Sequence, residues 1–356
     1  MTLAVDDDCE PDMSYQKPTL EDVAREAGVS RATASRVMNN MPGASGPTRA
    51  RIAEVAAALG YRPNEAARAL ASGRRMIVDL VVINYDPDLS WIGGHPYFSR
   101  VIAGMMSALD GSAVHLQIHV SLMAGAVELI DTVARQATVG AVLVNVPPDL
   151  AMRFHRRCPQ VVSLNTPAPS VPIVESENTA GAYAAVGHLH QIGCRRIAAI
   201  HGPAINACAS SRRAGHLGLI GDAGIPDIAA GGGFLREGGY RAAAELLARH
   251  PEVDGLFVSS DLMAAGAVQA ITATGRRIPD DIAVVGFDDS IAATCANPPL
   301  STIRLPVEEM AAAATKALLD GDLPSQWQKS FPVQLVTRQS TDPTADYLTS
   351  WAAATT

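Results

Sequence analysis

The 356 residues contain no charged amino-terminal patch followed by a long apolar run. The sequence therefore predicts neither a signal peptide nor a membrane anchor, and a soluble cytoplasmic protein is expected. Cysteine is scarce: Cys9, Cys158, Cys194, Cys208 and Cys295 are odd in number, scattered and without a C-x-x-C spacing. That argues against a disulfide framework and against a zinc site. Also missing are a P-loop, a G-x-S-x-G elbow and an H-E-x-x-H helix. The run Gly231 to Gly233 lacks the spacing and the following helix start of a dinucleotide fingerprint. His188 and His190 lie two apart on an expected helix, face different directions and make no ligand pair. Neither an enzyme nor a metal nor a cofactor is expected.

With 48% hydrophobic and 18% charged residues, the chain can bury a large core and divide into more than one domain. Its net charge of -8 is uneven. Residues 15 to 75 hold ten Lys/Arg against five acids, a local balance of about +5. Residues 1 to 14 carry five acids and no base, and the remaining body is acidic. Contacts to phosphate are local, so a basic head on an acidic body fits a nucleic-acid reader that does not coat DNA indiscriminately.

The basic segment has a pattern. In TLEDVAREAGVSRATASRVMNN, Thr19 can cap a helix with Asp22 as capping-box partner, and Leu20, Val23, Ala24 and Ala27 fall on one face. Gly28 stops that helix. Ser30 caps a second whose Ala34, Val37 and Met38 point inward, leaving Arg31, Ala32, Thr33, Ser35 and Arg36 mostly outward. A third helix fits Pro47 to Leu59, ended by Gly60. Two short helices around a glycine turn form a helix-turn-helix, whose second helix lies in the major groove, where arginine pairs bidentately with guanine.

Together with the later GYRPNEAARAL and a βα-repeating body, these motifs resemble the LacI/GalR family of bacterial transcription regulators, from about Thr19 to about Pro343. The resemblance implies a domain plan: a disordered lead over 1–15, a head over 16–61, a hinge helix and linker over 62–75, a body over 76–343 and a tail over 344–356. Translation from Met13 instead of Met1 is compatible with it. Arg31 and Ala32 are expected to set operator preference, with Thr33 and Arg36 supporting base or phosphate contacts. Thr19, Ser30, Ser35, Asn39, Ser45 and Asn64 complete the expected DNA face. Ala67 and Leu70 match minor-groove positions of the hinge, where Leu70 of each subunit would wedge into the central base step.

From Ile77 on, short apolar runs (Ile77 to Ile83, Val114 to Val120, Ala141 to Val144, Val161 to Leu164, Ile197 to Ile200, Gly255 to Val258, Ile282 to Val285) alternate with amphipathic stretches. The latter include Phe98 to Leu109, Ala180 to Gln191, Tyr240 to Ala248, Asp261 to Thr274 and Val307 to Leu319. Alternation of this kind predicts parallel, doubly wound α/β sheets, and its length predicts two lobes. The family's body is periplasmic-binding-protein-like, with three crossings between lobes. They are placed here near Glu177, Arg304 and Pro332, which gives lobe 1 residues 76–176 and 304–331 and lobe 2 residues 177–303 and 332–343. A ligand would sit between the lobes at the carboxyl ends of strands.

Site residues follow from the resemblance one at a time. Tyr97 and Phe98 open the first body helix, where an aromatic face can stack on a ring-shaped ligand, and Phe98 matches the family's stacking position. Asn165 ends the strand VVSLN, where the family often has an acid, and could bond hydroxyls without bringing charge. Arg212 matches an arginine that reaches into the cleft, Phe234 an aromatic packed on the ligand, and Asp288 an acid that accepts ligand hydroxyls. Ser260 stands where sugar-responsive members often have asparagine. Asp261 is expected to cap the helix after it, and Asp289 to be solvated or a cap. Asn206, Ala207 and Cys208 replace longer polar residues, departures that point away from a simple hexose.

The expected protein is a homodimeric repressor that binds a palindromic double-stranded operator and answers to a carbohydrate-like effector, with no membrane partner. The short tail, ADYLTSWAAATT, has no heptad repeat for further assembly. Two alternatives share the body: a nucleoside-responsive regulator and a solute-binding protein feeding a transporter. The basic head and the absent export signal oppose the second.

Overall fold

A computed structural model describes residues 18–38, 43–61, 75–85 and 91–345, with the side chains of 91 and 92 left aside. The expected lead, the hinge positions Asn64, Ala67 and Leu70, the position Asn39 and the tail beyond residue 345 lie outside the described residues. The chain forms two compact units, residues 1–72 and 73–356.

The first unit holds helices α1 (Leu20–Glu26), α2 (Arg31–Met38) and α3 (Gly46–Ala58). Thr19 and Asp22 form the capping box: the Thr19 amide donates to Asp22 Oδ2 at 2.9 Å, and the Asp22 amide donates to Thr19 Oγ1 at 3.3 Å. Gly28 turns the chain at φ +62°, a conformation that costs a residue with a Cβ about 1–2 kcal/mol. Ser30 and Ser45 cap the next two helices, accepting from the Thr33 and Thr48 amides. Val23, Ala27, Val37, Ile52 and Ala56 form a single small core, fed by all three helices.

The second unit contains twelve strands among the described residues: β1 (Ile77–Asn84), β2 (His115–Leu122), β3 (Gly140–Val144), β4 (Val161–Leu164), β5 (Ile173–Ser176), β6 (Ile197–His201), β7 (Ile228–Gly231), β8 (Gly255–Val258), β9 (Ala283–Asp288), β10 (Ser301–Arg304), β11 (Gln328–Phe331) and β12 (Gln334–Val336). They form two six-stranded sheets, β11-β5-β4-β3-β1-β2 and β12-β10-β9-β8-β6-β7. Every pairing is parallel except β10 with β12. Between strands run α4 (Trp91–Gly94), α5 (Pro96–Leu109), α6 (Ala126–Gln136), α7 (Pro148–His155), α8 (Asn178–Gln191), α9 (Ala207–Ala223), α10 (Arg236–Arg249), α11 (Asp261–Ala273), α12 (Ile291–Cys295) and α13 (Val307–Asp320).

The central strands are nearly continuous in apolar residues because helices cover both faces. In the second sheet one core joins β6, β8 and β9 to α10 and α11, and another joins the opposite face to α8 and α9. The first sheet packs one face on α6 and α7. The chain passes between sheets from Ser176 to Asn178, from Arg304 to Val307 and from Phe331 to Gln334. In each sheet the strand order reverses once near the middle, at β1/β3 and at β6/β8. Crevices at such reversals open beyond the carboxyl ends of the strands, and this is where the candidate site lies.

Candidate functional site

A cavity in the second unit is lined from both lobes. The first lobe contributes His95, Tyr97 and Phe98 at the start of α5, Asn145 just past β3, and Leu164 at the end of β4. The second contributes Asn206, Cys208 and Arg212 around the first turns of α9, Phe234, Ser260 just past β8, and Asp288 at the end of β9.

Arg212 is the cation of the cavity, and it is 4% exposed. Its Nε donates to Asn178 Oδ1 at 2.8 Å, its Nη1 donates to the Ser259 carbonyl at 2.6 Å, and its guanidinium lies 3.8 Å over the Phe287 ring. Nη1 also stands 3.1 Å from Asp288 Oδ1. A fork clamped in this way presents a fixed donor beside a fixed acceptor. Burial pushes the Asp288 carboxyl up, against the opposing pull of Arg212 and Arg100. Donor and acceptor so close together suit a hydroxyl that accepts from one and donates to the other.

Rings surround this pair. Phe98 is fully buried and meets Tyr97 edge-to-face at 5.5 Å and His95 at 5.7 Å. Burial drives the Tyr97 phenol far above its usual range, and the nearby Asn165 side chain draws it partly back. Phe234 sits at φ +63°, and a Cβ on Gly202 would stand 2.3 Å from its ring, so glycine is what lets the ring lie there. His95 Nδ1 accepts from the Tyr97 amide at 3.2 Å and caps α5. That role requires an unprotonated Nδ1. Burial lowers the His95 pKa to about 4, helped by the Arg212 charge and opposed by a hydrogen bond to the Phe234 backbone.

Asn165 lies behind the cavity-lining Tyr97 and Cys208, and its Oδ1 accepts from the Ser176 amide at 2.8 Å, from Ser176 Oγ at 3.0 Å and from Asn178 Nδ2 at 3.4 Å, bracing the first crossing. Two sequence expectations need correction. Asp261 does not cap α11; Ser260 does, accepting from the Met263 amide. Asp261 is fully buried and bridges Thr302 Oγ1 at 2.6 Å to the Ser290 amide at 2.7 Å, and burial beside Asp288 pushes its carboxyl up. Asp289 is not solvated: Arg304 Nε and Arg338 Nη2 hold its two oxygens at 2.7 and 2.6 Å.

Asn206 and Cys208, which stand in place of longer polar residues, line the cavity, and so do His95, Asn145 and Leu164, which the resemblance does not single out. The signal that singled out Asn165, an asparagine closing an apolar run, also stands at Asn145, after AVLV. Among the described residues no three His, Cys, Asp or Glu cluster as a metal site, and Cys158, Cys194, Cys208 and Cys295 are free thiols.

In the head, Arg31, Ala32 and Arg36 are exposed on α2, while Thr33 and Ser35 are half-buried. Arg31 Nε lies 3.5 Å from Glu21 Oε1 with both side chains about 70% exposed, so the pair is weak and the guanidinium is free to leave it. Thr19, Ser30 and Ser45 are exposed at helix starts, where each accepts from a first-turn amide.

Residues 19–64 match the family described as bacterial regulatory proteins, lacI family, and residues 186–341 match the periplasmic binding protein-like domain. The HTH-type transcriptional regulator CelR of Thermobifida fusca is 34% identical over 317 residues, covering 86% of this chain and 92% of that protein. A solved CelR–cellobiose complex superposes with a TM-score of 0.67 at 30% identity, covering 91% of this chain and 99% of the other. A lac repressor dimer bound to operator and the anti-inducer ONPF gives 0.67 at 26% identity, over 92% and 99%. Head, two-sheet body and extent of match agree: the chain belongs to the LacI family of bacterial regulatory proteins.

Proposed function

We propose that the protein is a DNA-binding repressor whose operator affinity is set by a small neutral polyhydroxyl molecule, a sugar or sugar derivative, held between the lobes. The observation that carries this is the Arg212–Asp288 pair, 3.1 Å apart and flanked by the Tyr97, Phe98 and Phe234 rings, in a chain whose head exposes Arg31 and Arg36 on a recognition helix. The CelR structure with cellobiose and the lac repressor dimer on its operator support a carbohydrate ligand and a dimer on a palindrome. In this reading the head spans 16–61, the hinge 62–75 and the body 76–343, and the protein acts in the cytoplasm, where its DNA is. Among the described residues no helix is long and apolar enough to cross a membrane.

Ligand binding changes DNA affinity by the ratio of its affinities for the two arrangements of the lobes. The test is a gel shift on DNA from upstream of the protein's own gene, across salt concentrations, with and without cellobiose, ribose and cytidine. A salt-dependent, sequence-selective shift altered by one sugar is expected. Binding indifferent to sequence, or a shift that no sugar and only cytidine alters, would replace the carbohydrate reading.

A further inference from the structure

Arg100 does not line the cavity, and no motif singles it out. It sits on α5, just after Tyr97 and Phe98, with its side chain 19% exposed. Four of its five N–H donors are committed. Nε donates to Glu308 Oε1 and Nη2 to Glu308 Oε2, each at 2.7 Å. Nη2 also donates to the Leu305 carbonyl and Nη1 to the Asp288 carbonyl, each at 2.8 Å. One guanidinium therefore ties the first lobe's α5 to the second crossing, to α13 and to the residue whose carboxylate faces Arg212.

Asp288 needs such a hold. Its φ is +116° and that of Asp289 is +53°, two consecutive side-chain-bearing residues with left-handed backbone. Such residues are strained and persist only where their surroundings over-determine them. Asp289 is fixed through its carboxylate by Arg304 and Arg338. Asp288 is fixed through its carbonyl, which accepts from Arg100 Nη1 and, at 3.3 Å, from the Leu305 amide. This turn is what aims the Asp288 carboxylate into the cavity.

We propose that Arg100 is a positioning residue of the effector site: held by Glu308, it holds the Asp288 carbonyl and so keeps the Asp288 carboxylate turned toward Arg212 and the ligand. Because Arg100 belongs to the first lobe and Asp288 to the second, the acid is set only when the lobes stand together. Only the ligand arm of the test rests on the effector reading above.

The variants are Arg100→Met, which keeps the length and loses the fork, and Arg100→Lys, which keeps the charge but offers a single donor point. In crystals of the unliganded Arg100→Met protein, Asp288 should leave its left-handed backbone and its carboxylate should move out of reach of Arg212. An Asp288 that stays in place overturns the proposal. In calorimetry on the full chain with cellobiose as probe, both variants should bind roughly tenfold more weakly, the loss of one well-placed charged hydrogen bond. A variant with a lower unfolding temperature but wild-type cellobiose affinity would make Arg100 a brace of the crossing alone and also overturns the proposal. If cellobiose does not bind the wild-type protein, the effector reading for that sugar fails, and the crystal structure of Arg100→Met still decides the role of Arg100.

Discussion

The side-chain amide of Asn206, at the start of α9 in the second lobe, donates to Oδ1 of Asn145, just past β3 in the first, across 3.0 Å. Both residues line the cavity, and Asn145 has φ +55°. Replacing Asn145 by glycine removes the bond but accepts the backbone. Replacing it by alanine removes the bond and adds left-handed strain of about 1–2 kcal/mol. Thermal unfolding should place Asn145→Ala below Asn145→Gly, and both should weaken effector binding. Equal unfolding temperatures would mean that the turn does not depend on this conformation.

Helices α5 and α13 meet at Gly104, where an added Cβ would stand 2.2 Å from the Glu308 carbonyl oxygen. Backbone cannot yield as a flexible side-chain tip can. Gly104→Ala should therefore cost about 1–3 kcal/mol of stability, the usual range for overpacking. It should also displace Glu308 from Arg100 and so weaken effector binding. Denaturant unfolding measures the first effect, and a wild-type midpoint would show that the helices part freely.

Stability should fall in mild acid. Burial lowers the pKa of His95 and His216 from 6.5 to about 4 and that of His201 to about 3. Further contributions are repulsion between His201 and His216 and the Arg213 charge facing both, with Asp227 opposing at His216. The unfolded chain takes up these protons below 6.5 and the folded chain does not. The stabilisation is thus complete above pH 6.5 and is lost as pH falls toward about 4 for His95 and His216 and about 3 for His201, by at most about 1.4 kcal/mol per unit for each histidine. His216 packs its ring on Phe257 with both nitrogens buried and, among the described residues, without hydrogen-bond partners. His216→Phe should flatten the slope between pH 6.5 and 4, and an unchanged slope would remove His216 from the account.

Arg31→Ala should cost operator binding about 1–3 kcal/mol, the worth of one bidentate arginine–guanine contact, and relax the preference at one base pair. Lys at the same place keeps the charge and should restore the salt dependence without the base preference. Competition gel shifts with single-base operator variants measure this. If specific and nonspecific affinities both survive Arg31→Ala, the guanidinium reads no base.

The head and the βα alternation are legible because local chemistry encodes them: a capping box at Thr19 and Asp22, a left-handed Gly28, apolar runs the length of one buried strand. Five strands escape that reading. β7, β11 and β12 lie at or near sheet edges with half their residues or more off the core, while β5 and β10 are four residues long and carry Ser, Thr, Glu or Arg. At the site, Arg212 and Asp288 emerge through family resemblance. Arg100 and Asn145 do not, because their partners lie 188 and 61 residues away and only the folded chain brings them together. Asp261 and Asp289 read locally as helix-start acids. Their true partners, Thr302, Arg304 and Arg338, arrive from strands and loops that no short window contains.

The three passages between the sheets also bear on how the protein emerges from the ribosome. β11, the edge of the first sheet, pairs with β5 across some 150 residues, and Arg338, which secures Asp289, comes later still. Neither lobe can complete its sheet while its own early strands are the only ones synthesised. Until β11 and β12 are made, β5 and β10 stand as open sheet edges. Nascent chains stalled before residue 328 should accordingly be the ones that chaperones hold longest.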